Sequence, residues 1–329
     1  MNTDGRLSAG TEIRVKFVDF WPQFDPYAYL IPLLNGPPFY FKTIVVGSEA
    51  PDIEIHSVFR SRAKRMLDRV ERRTHRFLTQ RTTPALDLRP KDEPGPFRIW
   101  LTGENLRPPY GPWNATLSFD ADSPGQRNAY FPLWWQMFPE LLGMDSEARP
   151  GIVQVSRFRP LDTFLESRDG TAGERERFVC AVISHPEPTR LRAIAALSEI
   201  GEVDVFGRVT GQAVTDKDDI FRQYKFVLCF ESDAYPGYVT EKVFDAWGSG
   251  AIPLWWGLDR ESFLNPDAFL NLADHRNLDA FVESVADLVS DRGVLDLISS
   301  QPLLQKRPNL DSVRQTLARA FLGTNGWSV

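Results

Sequence analysis

The stretch that most restricts how this 329-residue chain can fold is YKFVLCFESDAYPGYVTEKVFDAWGSGAIPLWWG, residues 224–257. Residues 224–231 (YKFVLCFE) are almost continuously apolar, the mark of a strand covered on both faces in a parallel sheet. A loop runs from Glu231 to Val239. Residues 239–250 (VTEKVFDAWGSG) then read as a helix, with Thr240 at its N-cap and glycines at its end. Residues 251–257 (AIPLWWG) read as the next strand. Parallel strands need a crossover of this kind, usually a helix, so the unit points to a layered α/β fold.

The rest of the chain repeats the theme. Residues 177–184 and 202–207 read as strands around a helix at 189–201, and 279–289 and 314–323 read as late helices. Earlier, 13–21, 41–48, 51–59, 97–105 and 116–120 read as strands. The imperfect alternation of 13–21 predicts a strand covered on both faces. Residues 139–177 are charged and poor in apolar runs, which puts a boundary near 155. The expectation is two α/β domains, 1–155 and 156–310, with a tail helix in 311–329. A ligand is expected beyond the carboxyl ends of the strands.

Composition excludes several function classes. A formal net charge of -6 argues against nucleic-acid binding. No run of 18 apolar residues predicts a membrane span, and the first residues lack a basic-then-apolar signal pattern, so a cytoplasmic location is expected. Residues 61–81 place Met66, Leu67, Val70, Phe77 and Leu78 at roughly helical spacing and carry eight Arg or Lys against two acidic residues. They read as a solvated face or as a peripheral contact with the inner membrane face. Cys180 and Cys229 lie in apolar strands and read as buried free thiols. His56, His75, His185 and His275 are scattered without ligand spacing, and Asp218 and Asp219 read as solvated turn acids, so no essential metal is expected.

The start of the 239–250 helix is where chemistry can sit. Unpaired N–H groups at a helix start favour anions, whereas the helix dipole disfavours a cation such as Lys242 in the first turn. Lys242 therefore needs a counter-anion. A bound diphosphate would supply it, with Glu241 alongside; a capped helix with a solvated ion pair is the alternative from these residues alone.

This region resembles the signature of the α-1,3/4-fucosyltransferases, glycosyltransferase family 10. The resemblance lies in Tyr224–Lys225–Phe226, Phe230–Glu231–Ser232, Tyr238–Val239–Thr240–Glu241–Lys242 and Trp256–Gly257. Thr102–Gly103–Glu104–Asn105, Ser118–Phe119–Asp120, the run Arg127 to Leu133, and Ser184–His185–Pro186 ahead of Arg190 resemble further family segments. The resemblance implies two Rossmann-like domains facing a cleft, the arrangement called GT-B, with the acceptor on the N-terminal domain and the nucleotide sugar on the C-terminal one. It implies inverting transfer of L-fucose from GDP-β-L-fucose to O3 or O4 of a GlcNAc or Glc residue in an oligosaccharide or glycolipid, with no cofactor and no metal.

By the same resemblance, Glu104 is the general base, Arg190 and Lys242 contact the donor diphosphate, Glu241 lies near the sugar, and Tyr238 and Ser232 are donor contacts. Arg192 competes with Arg190 for the phosphate role. A carboxylate suits the base role because a sugar hydroxyl is a poor nucleophile until its proton is taken. Three features depart from the pattern: Ser232 replaces an Asn, His185 replaces another Asn, and the basic segment 61–81 and the Trp134–Trp135 pair match no family role. Ser232 keeps open a different GDP-sugar donor; a non-catalytic glycan-binding module is a third reading, against which the joint presence of Glu104, Arg190, Glu241 and Lys242 argues.

Overall fold

The computed structural model describes residues 10–20, 24–28, 30–59, 95–105, 111–121, 127–144, 159–212 and 214–322. The chain divides into two compact units, Met1–Phe131 with Leu310–Val329, and Pro132–Asn309. The basic segment 61–81 lies outside the described residues. Among the described residues, no helix is long and apolar enough to cross a membrane.

The first unit contains β1 (Glu12–Val18), α1 (Leu30–Asn35), β2 (Lys42–Val45), β3 (Ile53–His56), β4 (Phe97–Leu101), β5 (Ala115–Ser118) and β6 (Asn128–Tyr130). Its six strands are all parallel, in the order β2-β1-β3-β4-β5-β6. Successive side chains of a strand point to opposite faces. Ile13, Val15, Ile53, Ile55, Phe97, Ile99 and Leu117 share one face and are buried. Arg14, Lys16, Glu54, His56, Arg98 and Thr116 alternate with them and are half-buried or exposed. The first strand was expected to be apolar on both sides, and the structure corrects this: the sheet has one apolar face and one polar face. Register pairs Lys16 with Glu54 and Glu54 with Arg98, so opposite charges lie side by side across three strands.

The second unit contains β7 (Arg177–Val182), α2 (Pro188–Leu197), β8 (Val203–Phe206), α3 (Lys217–Phe221), β9 (Tyr224–Leu228), α4 (Glu241–Gly248), β10 (Ile252–Trp255), β11 (Leu270–Asn271), α5 (Leu278–Val289) and α6 (Arg292–Ser300). Its five strands are also parallel, in the order β11-β10-β9-β7-β8. Here both faces are covered. Phe226, Val227, Ile252 and Leu254 are buried on the central strands, as the continuous apolar runs predicted. The short α3, together with α6, was not anticipated from the sequence.

Two boundaries differ from expectation. The units divide at Phe131–Pro132 rather than near 155. The reason is aromatic packing: Trp134 stacks on Phe244 of α4 with ring centroids 5.0 Å apart, and Phe138 lies 5.6 Å from Phe164. The Trp134–Trp135 turn is thus core of the second unit. The last helix, α7 (Asp311–Leu322), was expected to form a tail but belongs to the first unit, against β5 and β6. Its Phe321 is fully buried, with ring centroids 4.2 Å from Phe97, 5.4 Å from Phe39 and 5.9 Å from Phe41. Phe321→Ala should therefore cost about 3–5 kcal/mol of stability, lowering the urea midpoint read by far-UV circular dichroism. An unchanged midpoint is what a detached tail would give.

Candidate active site

The site in the second unit grows from the carboxyl end of β9. Beyond Leu228 the chain still pairs with its neighbour: the Cys229 N–H donates to the Leu254 carbonyl at 2.9 Å and the Glu231 N–H to the Trp256 carbonyl at 3.1 Å. This pairing carries the Glu231 side chain into the protein, where it is fully buried. A buried carboxylate is tolerated only when its oxygens are satisfied. Four contacts do so: the Thr240 N–H at 2.9 Å, the Thr240 hydroxyl at 2.9 and 2.8 Å to the two oxygens, and the Lys242 ammonium at 2.9 Å.

Thr240 is the N-cap of α4, and its hydroxyl also accepts from the Lys242 ammonium at 2.8 Å. The oxygen that closes the helix end therefore also links the buried acid to the lysine. The counter-anion Lys242 needs is supplied by the protein itself, as Glu231. Burial alone would lower the Lys242 pKa, but Glu231, then Glu241 and Tyr238, outweigh it and drive it well up, so the amine is charged. Its side chain keeps 28% of its surface exposed, so the cation is held but still reachable.

Glu241 follows the same logic with the opposite sign. Burial raises its pKa, while Lys242, Lys217 and its own N–H at the helix start bring it below the ordinary carboxylate value. Lys217, from α3, pairs with buried Asp245 of α4 at 2.9 Å. Burial lowers the Lys217 pKa, but Asp245 and then Glu241 more than compensate and raise it. The fields of two lysines thus act on Glu241, and the sequence reading had found only one.

The remaining predicted donor residues adjoin this cluster. Arg190, in the first turn of α2, donates from Nη2 to the Phe230 carbonyl at 2.9 Å and from Nε at 3.1 Å. Its guanidinium is therefore fixed at the residue preceding Glu231. Arg192 is exposed and reaches only the Thr189 hydroxyl at 3.5 Å, so the structure separates the two competing arginines. The Ser232 hydroxyl lies 3.3 Å from the hydroxyl of buried Tyr238. Arg190, Ser232, Tyr238, Glu241 and Lys242 thus meet around one loop and one helix start. Asn271, which the sequence reading missed, holds the far end of β10: its amide donates to the Gly257 carbonyl at 3.1 Å. Glu231 was visible only as part of the Phe230–Glu231–Ser232 string.

Glu104 lies in the first unit, three residues past the end of β4, and is exposed. Its loop starts from a fixed point. Thr102 is buried, donates its N–H to the Leu117 carbonyl at 2.9 Å, and accepts from the Trp100 indole at 3.2 Å.

One smaller expectation is corrected and another holds. Asp218 is not a solvated turn acid: it is 1% exposed and paired with Arg159 and Arg222. Burial raises its pKa, but these arginines overcome that and lower it. It anchors α3, whereas Asp219 is exposed as expected. Cys180 and Cys229 are buried free thiols, and burial pushes both upward.

Residues 172–295 match the family model described as glycosyltransferase family 10 (fucosyltransferase), C-terminal. The α-(1,3)-fucosyltransferase FucT of Helicobacter pylori is 28% identical over 225 residues, 63% of this chain and 47% of that protein. The 4-galactosyl-N-acetylglucosaminide 3-α-L-fucosyltransferase 9 of Bos taurus is 34% identical over 110 residues, 31% of each chain. The chain thus spans less than half the length of these curated relatives. Among solved structures, an α1,3-fucosyltransferase superposes with a TM-score of 0.61 at 19% identity, covering 94% of this chain and 89% of that one. An α1,3-fucosyltransferase solved with GDP-fucose gives 0.61 at 20% identity, covering 93% and 85%. At these identities the likeness is one of fold, two parallel-sheet α/β domains of the GT-B kind. Residues 172–295, which contain the whole Glu231–Lys242 cluster, are thus similar to the C-terminal part of glycosyltransferase family 10, the fucosyltransferases.

Proposed function

We propose that the chain transfers L-fucose from GDP-β-L-fucose to O3 or O4 of a GlcNAc or Glc residue in an oligosaccharide or glycolipid, inverting the anomeric centre. The observation that carries this reading is the charged, partly exposed Lys242, locked by Glu231 and Thr240 at a helix start inside the family-matched segment. A preassembled cation of this kind suits a nucleoside diphosphate, whose negative charge grows as its bond to the sugar breaks. Arg190, tethered at Phe230, would share that charge.

In the proposed step, the acceptor oxygen forms a bond to the anomeric carbon as the bond from that carbon to the β-phosphate oxygen breaks. The electron pair leaves with GDP. Glu104 takes the hydroxyl proton, and Glu241, held ionised, faces the positive charge that develops on the sugar. In this reading the N-terminal domain holds the acceptor and the C-terminal domain the nucleotide sugar, with protein cations in place of a metal. A different GDP-sugar is the second reading, favoured by one observation: Ser232, where the family pattern has Asn, lies 3.3 Å from the Tyr238 hydroxyl, so a shorter hydroxyl stands where an amide would reach.

Three outcomes are expected. Calorimetry should give GDP and GDP-fucose affinities that EDTA does not change; a sharp loss with EDTA would contradict the metal-free reading. Arg190→Ala should weaken GDP binding at least about tenfold, the scale of a charged hydrogen bond, while Arg192→Ala stays within about twofold. Glu104→Gln should lower turnover at least about 100-fold with GDP affinity intact, and near-wild-type turnover would remove Glu104 from the base role.

A further inference from the structure

The polar face of the first unit's sheet holds a cavity of about 460 Å³ that the donor chemistry does not use. Its lining includes Asp19, Glu54, His56, Arg98 and Trp113. Glu54 lies at the centre. One of its oxygens receives the Arg98 Nε–H at 3.2 Å and lies 3.1 Å from Nε2 of His56. Glu54 faces Arg98 across the β3–β4 ladder, and His56 is two residues further along the same face of β3. The cluster is thus set by strand register rather than by a loop.

Trp113 forms the apolar side of the cavity. Its ring centroid is 5.1 Å from that of Trp100 and 5.1 Å from the His56 ring. Asp19 closes the end of β1 in a left-handed conformation, with φ of 59°. Such a backbone is costly for a residue other than glycine, and it clusters at functional sites. Here the Asp19 carbonyl accepts the Phe59 N–H at 2.9 Å, which holds the turn against the loop after β3.

The charges decide what kind of ligand fits. Burial lowers the His56 pKa, and Arg98 acts in the same direction; together they outweigh Glu54 and Asp19, so the ring is neutral near pH 7. Two carboxylates then face one guanidinium. A diphosphate would meet repulsion here, the reverse of its reception at Lys242 and Arg190. A neutral polyol meets acceptors in Glu54 and Asp19, donors in Arg98, and an aromatic wall for its C–H face. Few fixed polar groups with an aromatic wall, in a volume of several hundred Å³, is the usual make-up of a small-ligand site.

We propose that this cavity, with Trp113 as stacking wall and Glu54, Arg98 and Asp19 as hydroxyl partners, binds a neutral pyranose of the glycan acceptor. The inference rests on the reading of the chain as a sugar transferase and names where its acceptor is held. The test uses the whole chain and methyl β-N-acetyllactosaminide as probe. Saturation-transfer NMR reads the disaccharide and calorimetry reads GDP. The wild type should give transfer to the disaccharide. Trp113→Ala and Glu54→Gln should each reduce that transfer at least fivefold, with GDP affinity within twofold of wild type. Glu54→Gln preserves side-chain size and serves alone if Trp113→Ala does not fold. Undiminished transfer in the folded variants overturns the proposal, as does a wild type that binds GDP but gives no transfer to the disaccharide. A wild type that binds the disaccharide through Trp113 and Glu54 but not GDP upholds the cavity and removes the GDP-sugar reading.

Discussion

The buried carboxylate of Glu231 is the interaction on which the second unit's site depends. A buried acid is stable only if cations and donors are brought to it, and here they come from the start of α4. Satisfying Glu231 fixes Thr240, capping with Thr240 starts the helix, and the helix start positions Glu241 and Lys242. The same loop end carries the carbonyl that holds Arg190. Removing the acid would leave Lys242 at the end of the helix dipole that disfavours it. The partly exposed cation and the buried anion that stabilises the fold are therefore two ends of one pair.

The second unit was the more legible in the sequence, for a physical reason. Its central strands are covered on both faces, so β9 and β10 read as continuous apolar runs, and the cap at Thr240 is a local signal. The first unit was harder to read. Its strands alternate between core and polar face, and the alternation of Ile13 and Val15 with Arg14 and Lys16 was read as noise on a two-faced strand. The domain boundary was placed by charge density, but what sets it is the stacking of Trp134 on Phe244, a contact between residues far apart in sequence.

The site shows the same division. Residue types at a helix start were readable, and so was Lys242's need for a counter-charge. Which group supplies that charge was not, because Glu231 comes into reach only when β9 pairs with β10. Nor could spacing alone choose between Arg190 and Arg192, which differ in whether the helix turns them toward Phe230 or toward solvent. Asp218 looked like a turn acid because one of its two arginine partners, Arg159, lies far upstream, and Arg222 four residues on reads as an ordinary exposed helix pair. Buried polar partners are long-range facts, and local patterns do not encode them.

The placement of α7 has a consequence for the order in which the chain can mature during synthesis. The second unit is one continuous segment, whereas the first is completed only by a helix that leaves the ribosome after it. At roughly 5–20 residues per second, the apolar face that receives Phe321 waits on the order of ten seconds or more for its cover. The usual order, in which the N-terminal domain folds first, is reversed: the segment with the Glu231–Lys242 pair can close while the earlier sheet still exposes Phe39, Phe41 and Phe97. In that interval the nascent first unit is the part most exposed to aggregation and most in need of chaperone protection.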